Sequence, residues 1–224
     1  MTSASATASP GPESSPDPVF EGVYGPFTIT ATDRREVLGY RLALFTVAIA
    51  QAALLTQWHW FGTAWLWPWL LPMAAGLGLA LRWIHIYLRP LHRALQLFWL
   101  LGSAGFVALA VAAGTGAMAS TLASDGRWIW AVGPFFAALA GIGFKEFFCF
   151  RRAEAIGVTL LLPVALLGHL TGLLDASATG TLLALEAALL LVLTLRKFPM
   201  PAAADVGDKS VFAYLEAQRQ PSNA

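Results

Sequence analysis

The sequence predicts an all-α, polytopic membrane protein with six transmembrane helices in an up-down bundle and both termini on the cytoplasmic side. Three observations carry that expectation. Of the 224 residues, 57% are hydrophobic and only 12% charged, against roughly 25% charged in soluble domains. The apolar residues gather into runs of about 20, enough to cross a hydrocarbon core about 30 Å thick at about 1.5 Å per residue. The basic residues cluster at alternate breaks between those runs.

The first 20 residues, MTSASATASPGPESSPDPVF, are rich in Ser, Ala, Thr and Pro and bury too little apolar surface to fold. They are expected to form a disordered leader, without the basic and apolar regions of a secretory signal. In EGVYGPFTITATDRRE, Gly25-Pro26 marks a turn, and FTIT alternates like a strand over a very short run. Asp33 and Glu36 have capping-box spacing, which predicts Asp33 as N-cap and a helix from about Arg34.

The membrane domain is expected over residues 21–198, with spans at about 37–58, 66–88, 94–113, 127–148, 155–174 and 178–195. Their short joins imply antiparallel neighbours. Strands across the membrane are excluded, because an open sheet in lipid leaves backbone groups unpaired. Residues 199–224 form a cytoplasmic tail. Val211, Phe212 and Leu215 give it amphipathic spacing, but a frayed tail is the preferred reading.

Orientation follows from charge. With six spans, 13 of the 14 Lys and Arg residues share one side and only Arg127 falls on the other. The positive-inside rule makes the crowded side cytoplasmic, or stromal. Trp58, Trp60, Trp65, Trp67, Trp69, Trp128 and Trp130 then form an interfacial belt at the opposite surface. Small residues in AAGLGLA (74–80), GSAG (102–105) and AGIG (140–143) suit close helix approach.

The polar residues divide into two groups. In RWIHIYLRPLHR, Arg82, His85, Arg89 and His92 are spaced 3, 4 and 3 apart and share a face of any continuous helix. Pro90 is expected to end that helix at Arg89 and open the next one. With Arg93, Lys145, Arg151 and Arg152, these residues form a basic cytoplasmic face. They serve either as snorkelling positive-inside charge or as a site for an anionic headgroup or partner surface, with metal or haem ligation a third reading. Glu146 is expected to neutralise a cation of a neighbouring helix, Arg82 foremost, and adjacent Lys145 to point about 100° away from it. Cys149, the single cysteine, is expected to be partly buried.

Within the membrane, Glu186 sits mid-span, where a carboxylate is costly. It either stays protonated or pairs inside the bundle, and His169 lies at comparable depth on an antiparallel helix. Such a pair serves as a structural hydrogen bond or as a proton relay. Motifs for a serine protease, a zincin, a P-loop and a dinucleotide fold are all missing. An enzyme is therefore not expected, and neither metal, cofactor nor nucleic acid is.

Three stretches, VYGPFTITATDRREVLGYRLAL, RWIHIYLRPLHR with ALQLFWLLG, and GIGFKEFFCFRRAEAIGVTLLLPVALLGHL, resemble the uncharacterised integral membrane family known as domain of unknown function 2301. The resemblance covers about residues 21–198 and implies a multi-span protein of a cyanobacterial plasma or thylakoid membrane, with no reaction and no site residues. The leading expectation is a non-enzymatic factor that assembles, organises or stabilises membrane complexes through its basic face, bound to anionic lipid or to other complex subunits. The alternative is a small proton-sensitive transporter or channel using Glu186 and His169. An enzyme acting on membrane lipid or pigment is the third.

Overall fold

A computed structural model describes residues 17–218. The expected disordered leader lies, up to residue 16, outside the described residues. The last residues of that leader are ordered: Val19–Gly22 (β1) pairs antiparallel with Gly25–Thr28 (β2). The turn falls at Val23–Tyr24 rather than at Gly25-Pro26, and Pro26 sits in β2 opposite Glu21. A strand run this short persists because the C-terminal tail supports it, which local sequence does not reveal.

Helix α1 spans Ala31–Phe61. Thr30, not Asp33, is its N-cap. The Thr30 hydroxyl accepts from the Asp33 N–H at 3.2 Å, and the Asp33 carboxylate accepts from the Thr30 N–H at 2.7 Å. Asp33 is therefore the third helical residue (N3), closing the box rather than capping it, which moves the helix start three residues upstream. Then come α2 (Trp67–Trp83), α3 (Arg89–Ala113), the short α4 (Met118–Ser124), α5 (Ile129–Phe150), α6 (Ala153–Leu170) and α7 (Ala176–Leu195). Two further helices, α8 (Ala202–Val206) and α9 (Lys209–Ala217), make up most of the described part of the tail, which is helical rather than frayed up to Ala217.

Five of these helices are long and apolar enough to cross a membrane: α1, α3, α5 with the single 3-10 turn before it, α6 and α7. Helix α2 has 17 residues, about 25 Å of rise. It stops at Trp83, well short of the expected Arg89. Beyond it the chain runs extended through Ile84, which buries Ile84 and Ile86 in the core and turns Tyr87 to the tail. Tertiary contacts thus end this helix earlier than Pro90 requires.

The long helices form a ring in chain order. Each packs on its predecessor, with α5 following α3, and α7 returns to α1. Leu44, Val47, Leu77, Phe135, Leu139 and Leu190 fill the interior. Leu100, Val107, Val111, Leu160, Val164 and Leu185 point outward and are exposed, which suits lipid and not water. Glycines set the tightest approaches. A Cβ on Gly102 or Gly105 of α3 would collide with the backbone of α5 at Phe135 or Ala131, and one on Gly76 of α2 would sit 2.8 Å from the Ala43 carbonyl. All three belong to the GSAG and AAGLGLA runs.

The hairpin, the start of α1 and the tail make a cap over the end of the ring where the described residues begin and end. Phe20 and Phe27 pack with Ile29, Val37 and Val206. The Val23 and Tyr24 N–H groups donate to the Asp208 carboxylate at 2.7 Å and the Ser210 hydroxyl at 3.0 Å. Tyr24 stacks on Tyr214 with centroids 3.9 Å apart. This is the terminal end of the bundle, and the opposite one is the far end.

Candidate functional site

Two groups of polar side chains are buried in the bundle, one beneath the cap and one towards the far end. Beneath the cap, five ionised residues from four segments form a chain of alternating sign. The Glu146 carboxylate on α5 is fully buried and accepts from the Tyr40 hydroxyl at 2.7 Å, Lys145 Nζ at 3.2 Å and Lys197 Nζ at 2.6 Å. Lys197, with 1% of its side chain exposed, also donates to Asp205 of α8. Asp205 in turn accepts from Arg41 Nε at 2.8 Å and Nη2 at 2.6 Å. Arg41 completes its hydrogen bonds on the Met200 and Pro201 carbonyls. Both lysines lie over the Tyr40 and Phe150 rings, Lys197 4.7 Å from the Phe150 centroid. Three cations face two carboxylates, and every charge has a partner, which makes such burial tolerable. The arrangement ties α1, α5, the end of α7 and the tail together.

Two expectations are overturned here. Glu146 is neutralised by Lys197 and Lys145 rather than by Arg82. Adjacent Lys145 and Glu146 do pair, because the lysine stem is long enough to bend its ammonium round to a carboxylate on the next residue. Cys149, close by, is exposed rather than partly buried.

The dodecapeptide does not present one face, since its middle is extended. Arg82 is exposed at the end of α2. His85 faces Glu36 at 3.8 Å, and burial lowers its pKa against the opposing pull of that carboxylate. Arg89 pairs with Glu216 of the tail. His92 hydrogen-bonds the Leu81 carbonyl and so ties the start of α3 to α2. Arg93 and Arg151 are exposed. Arg152 and Arg196 share Glu154, at 3.4 and 3.0 Å. Asp33, Glu36 and His85 bring their ligand atoms within 4.8 Å of one another. The Lys209 ammonium already sits 2.8 Å from Asp33, however, so a cation there would compete with it.

Towards the far end, Glu186 of α7 is fully buried and accepts a hydrogen bond from the Gln51 amide of α1. His169 does not pair with it: its Nε2 bonds the Leu122 carbonyl at 3.0 Å instead. Depth alone placed the two together, but the ring of helices turns His169 to α4 and leaves Glu186 facing α1. Beside Gln51 lies a cavity of about 130 Å³, bordered by residues of α1 to α7, with His169 and Thr179 in its wall. The aromatic residues at this end are mixed in placement: Trp60, Trp65 and Trp130 are exposed, whereas Trp69 donates to Gln57 at 2.7 Å.

Residues 79–214 match the model of an uncharacterized integral membrane protein family, DUF2301. The chain belongs to this family. No curated protein and no solved structure matches it. The DUF2301 stretch begins near the end of α2 and reaches Tyr214. It therefore takes in the tail that the resemblance had left outside, and it leaves out the hairpin and α1. Lys145, Glu146, Lys197 and Asp205 fall within it, and their partners Tyr40 and Arg41 precede it.

Sequence reasoning missed Tyr40, Arg41, Lys197 and Asp205 as a unit, and it missed Gln51. A signal was present: Glu146, Glu154, Asp205 and Asp208 all fall at the end where the cations gather, so pairing was available to most of them. Arg196 and Lys197 read alike in sequence, yet Arg196 is mostly exposed and Lys197 is not. Only the rotation of the chain as it leaves α7 separates them.

Proposed function

We propose that this DUF2301 protein is a non-enzymatic factor that organises or stabilises other membrane complexes, binding anionic lipid headgroups or complex subunits through a basic cytoplasmic face. One observation carries the reading. Among the described residues, nine Lys and Arg side chains have an acidic partner. Arg35, Arg82, Arg93 and Arg151 have none, and all four are exposed at the terminal end. Where acids are so freely used to neutralise basic groups, four that stay bare form a surface for an anion from outside the chain. In this reading the terminal end faces the cytoplasm, six helices span the membrane, and no cofactor is needed. A cyanobacterial plasma or thylakoid membrane is the setting that the family resemblance implies.

Holding Arg151 in the left-handed region, at φ 51° and ψ 38°, adds to this support. That conformation is costly for a side chain with a Cβ, and it caps α5 with an exposed guanidinium. The test is purification of tagged protein from its native membrane in mild detergent, alongside an Arg82→Gln/Arg93→Gln/Arg151→Gln variant. Stoichiometric partner subunits or anionic lipid with the wild type, lost from the folded variant, is the expected result. Equal recovery from both would refute the role of this face.

A transporter or channel is the second reading, favoured by the far-end cavity beside the buried Gln51–Glu186 pair. It no longer draws on a His169–Glu186 contact. In proteoliposomes, Glu186→Gln would abolish a pH-dependent flux. A folded wild type that moves no ion or solute under imposed gradients would exclude it.

A further inference from the structure

The wall of the far-end cavity is almost entirely carbon. Leu70, Met73, Phe106, Leu109, Met118 and Leu183 are among the residues that line it, and no Asp, Glu, Lys or Arg does. Gln51, Trp67, His169 and Thr179 also contribute to the wall, but Gln51 Oε1, Trp67 Nε1, His169 Nδ1 and Thr179 Oγ1 each expose less than 1 Å². What these residues show the cavity is therefore carbon as well. A water held inside a protein needs about two to four polar partners, which this wall does not offer. A charged or hydrogen-bonding ligand would leave its water partners and gain none in return. The volume of about 130 Å³ is close to that of an apolar cavity that takes up benzene, about 150 Å³. The occupant that suits such a space is hydrocarbon, about six carbons of it.

A second observation shows where that hydrocarbon comes from. On the outer side of α3, α5 and α6, three of the membrane-crossing helices, lies a furrow of about 400 Å³. Every residue that lines it is apolar, Trp130, Gly133, Pro134, Leu162, Pro163 and Leu167 among them. Phe98, Trp130 and Leu167 of this lining are exposed, so in a bilayer lipid chains fill the furrow. Ile129, Phe136 and Leu166 line both the furrow and the cavity. One layer of side chains thus separates the interior space from the acyl region. Ile129 and Leu166 are buried, whereas Phe136 is half-buried and meets Phe106 and Phe135 only edge-on. The backbone at this level is also the least tightly bonded in the two helices. Pro134 offers no N–H to the Trp130 carbonyl, and Pro163 offers none to the Thr159 carbonyl.

We propose that this cavity holds the end of an acyl chain of a bilayer lipid, which enters sideways from the furrow past Phe136. The body of the chain lies in the furrow against α5 and α6. Its last carbons pack in the cavity among Met73, Phe106 and Met118, and Phe136 is the side chain that moves to admit them. The site is separate from the basic face, at the opposite end of the bundle.

The test uses full-length protein in nanodiscs of phosphatidylcholine that carries a photoreactive diazirine, either at the end of one acyl chain or beside the glycerol. After illumination, the labelled residues are mapped by mass spectrometry. Met73 and Met118 are buried, whereas Val107 and Leu160 face outward, so lipid that merely surrounds the ring reaches only the second pair. The chain-end probe is expected to label Met73 or Met118 in the wild type, and the glycerol probe to label neither. Ala119→Phe places one extra ring in the cavity and should abolish the interior labelling while outward labelling and the unfolding midpoint are kept. Phe136→Trp, a larger side chain at the entrance, should reduce the interior labelling in the same way. Wild type labelled at Val107 or Leu160 but at neither methionine would overturn the assignment without recourse to any variant. Interior labelling that is equal for the two probes, or unchanged in folded Ala119→Phe, would overturn it as well.

Discussion

Replacing Glu146 by Gln should be among the most damaging single changes in this protein, and a second charge removal should partly repair it. Glu146 is the acid that holds both Lys145 and Lys197. Without it, three buried cations, Lys145, Lys197 and Arg41, share the single carboxylate of Asp205. Removing one partner from a buried ion pair costs about 3–5 kcal/mol, because the remaining charge is left in a poor solvent. Lys197→Met alone leaves two balanced pairs, Lys145 with Glu146 and Arg41 with Asp205. Its cost is the loss of charge-assisted hydrogen bonds, about 1.5–3 kcal/mol. The double variant Glu146→Gln/Lys197→Met returns the site to a net single positive charge, as in the wild type. It should therefore be more stable than Glu146→Gln alone, with a coupling of about 1–3 kcal/mol. Unfolding by SDS in mixed micelles, followed by tryptophan fluorescence, measures all three. A double variant less stable than Glu146→Gln, or a Glu146→Gln cost within about 0.5 kcal/mol of zero, would refute the reasoning.

Other changes give expectations of different kinds. Gly105→Val should force α3 from the Ala131 backbone of α5, an overpacking of about 1–3 kcal/mol or more, read as a lowered unfolding midpoint. Glu186→Gln should be tolerated, since an amide oxygen still accepts from Gln51. Glu186→Ala should cost about 1–3 kcal/mol by stranding that amide, and equal midpoints for the two variants would count against the pair. Acidification should destabilise the cap through His85. Burial depresses its folded pKa below 6.5, with Glu36 and Asp33 opposing and Lys145 and Lys209 assisting. The unfolded state then binds more protons, so this contribution is full above pH 6.5 and is lost as pH falls from there towards the folded value. Melting series over that range should show a smaller slope in His85→Gln. Asp208→Asn weakens the acceptor that holds the hairpin turn, and faster tryptic cleavage at Lys209 would report the loosened tail.

The membrane character, the approximate place of each long helix and the contact role of the GSAG and AAGLGLA runs were legible in the sequence alone. Each depends on a property averaged along a stretch, or on the absence of a side chain, and both survive any rotation of the helices. Legible too was which ionisable residues needed an explanation, because a charge is conspicuous against so apolar a chain. The partners of those charges were not legible. Pairing depends on rotation about each helix axis and on contacts between residues 51 and 186 or 41 and 205, which no local pattern records. The same holds for the early end of α2, decided by burial of Ile84 and Ile86 in the core, and for the survival of a four-residue hairpin, decided by contacts with the tail. Sequence thus determined that this chain belongs in a bilayer and which of its charges needed partners. Tertiary structure decided that Lys197 is buried and Arg82 is not, and that Glu186 meets Gln51 and not His169. The physical reason is that hydrophobicity adds up along a segment, whereas hydrogen bonds and ion pairs exist only at distances of about 3 Å, which folding alone can set.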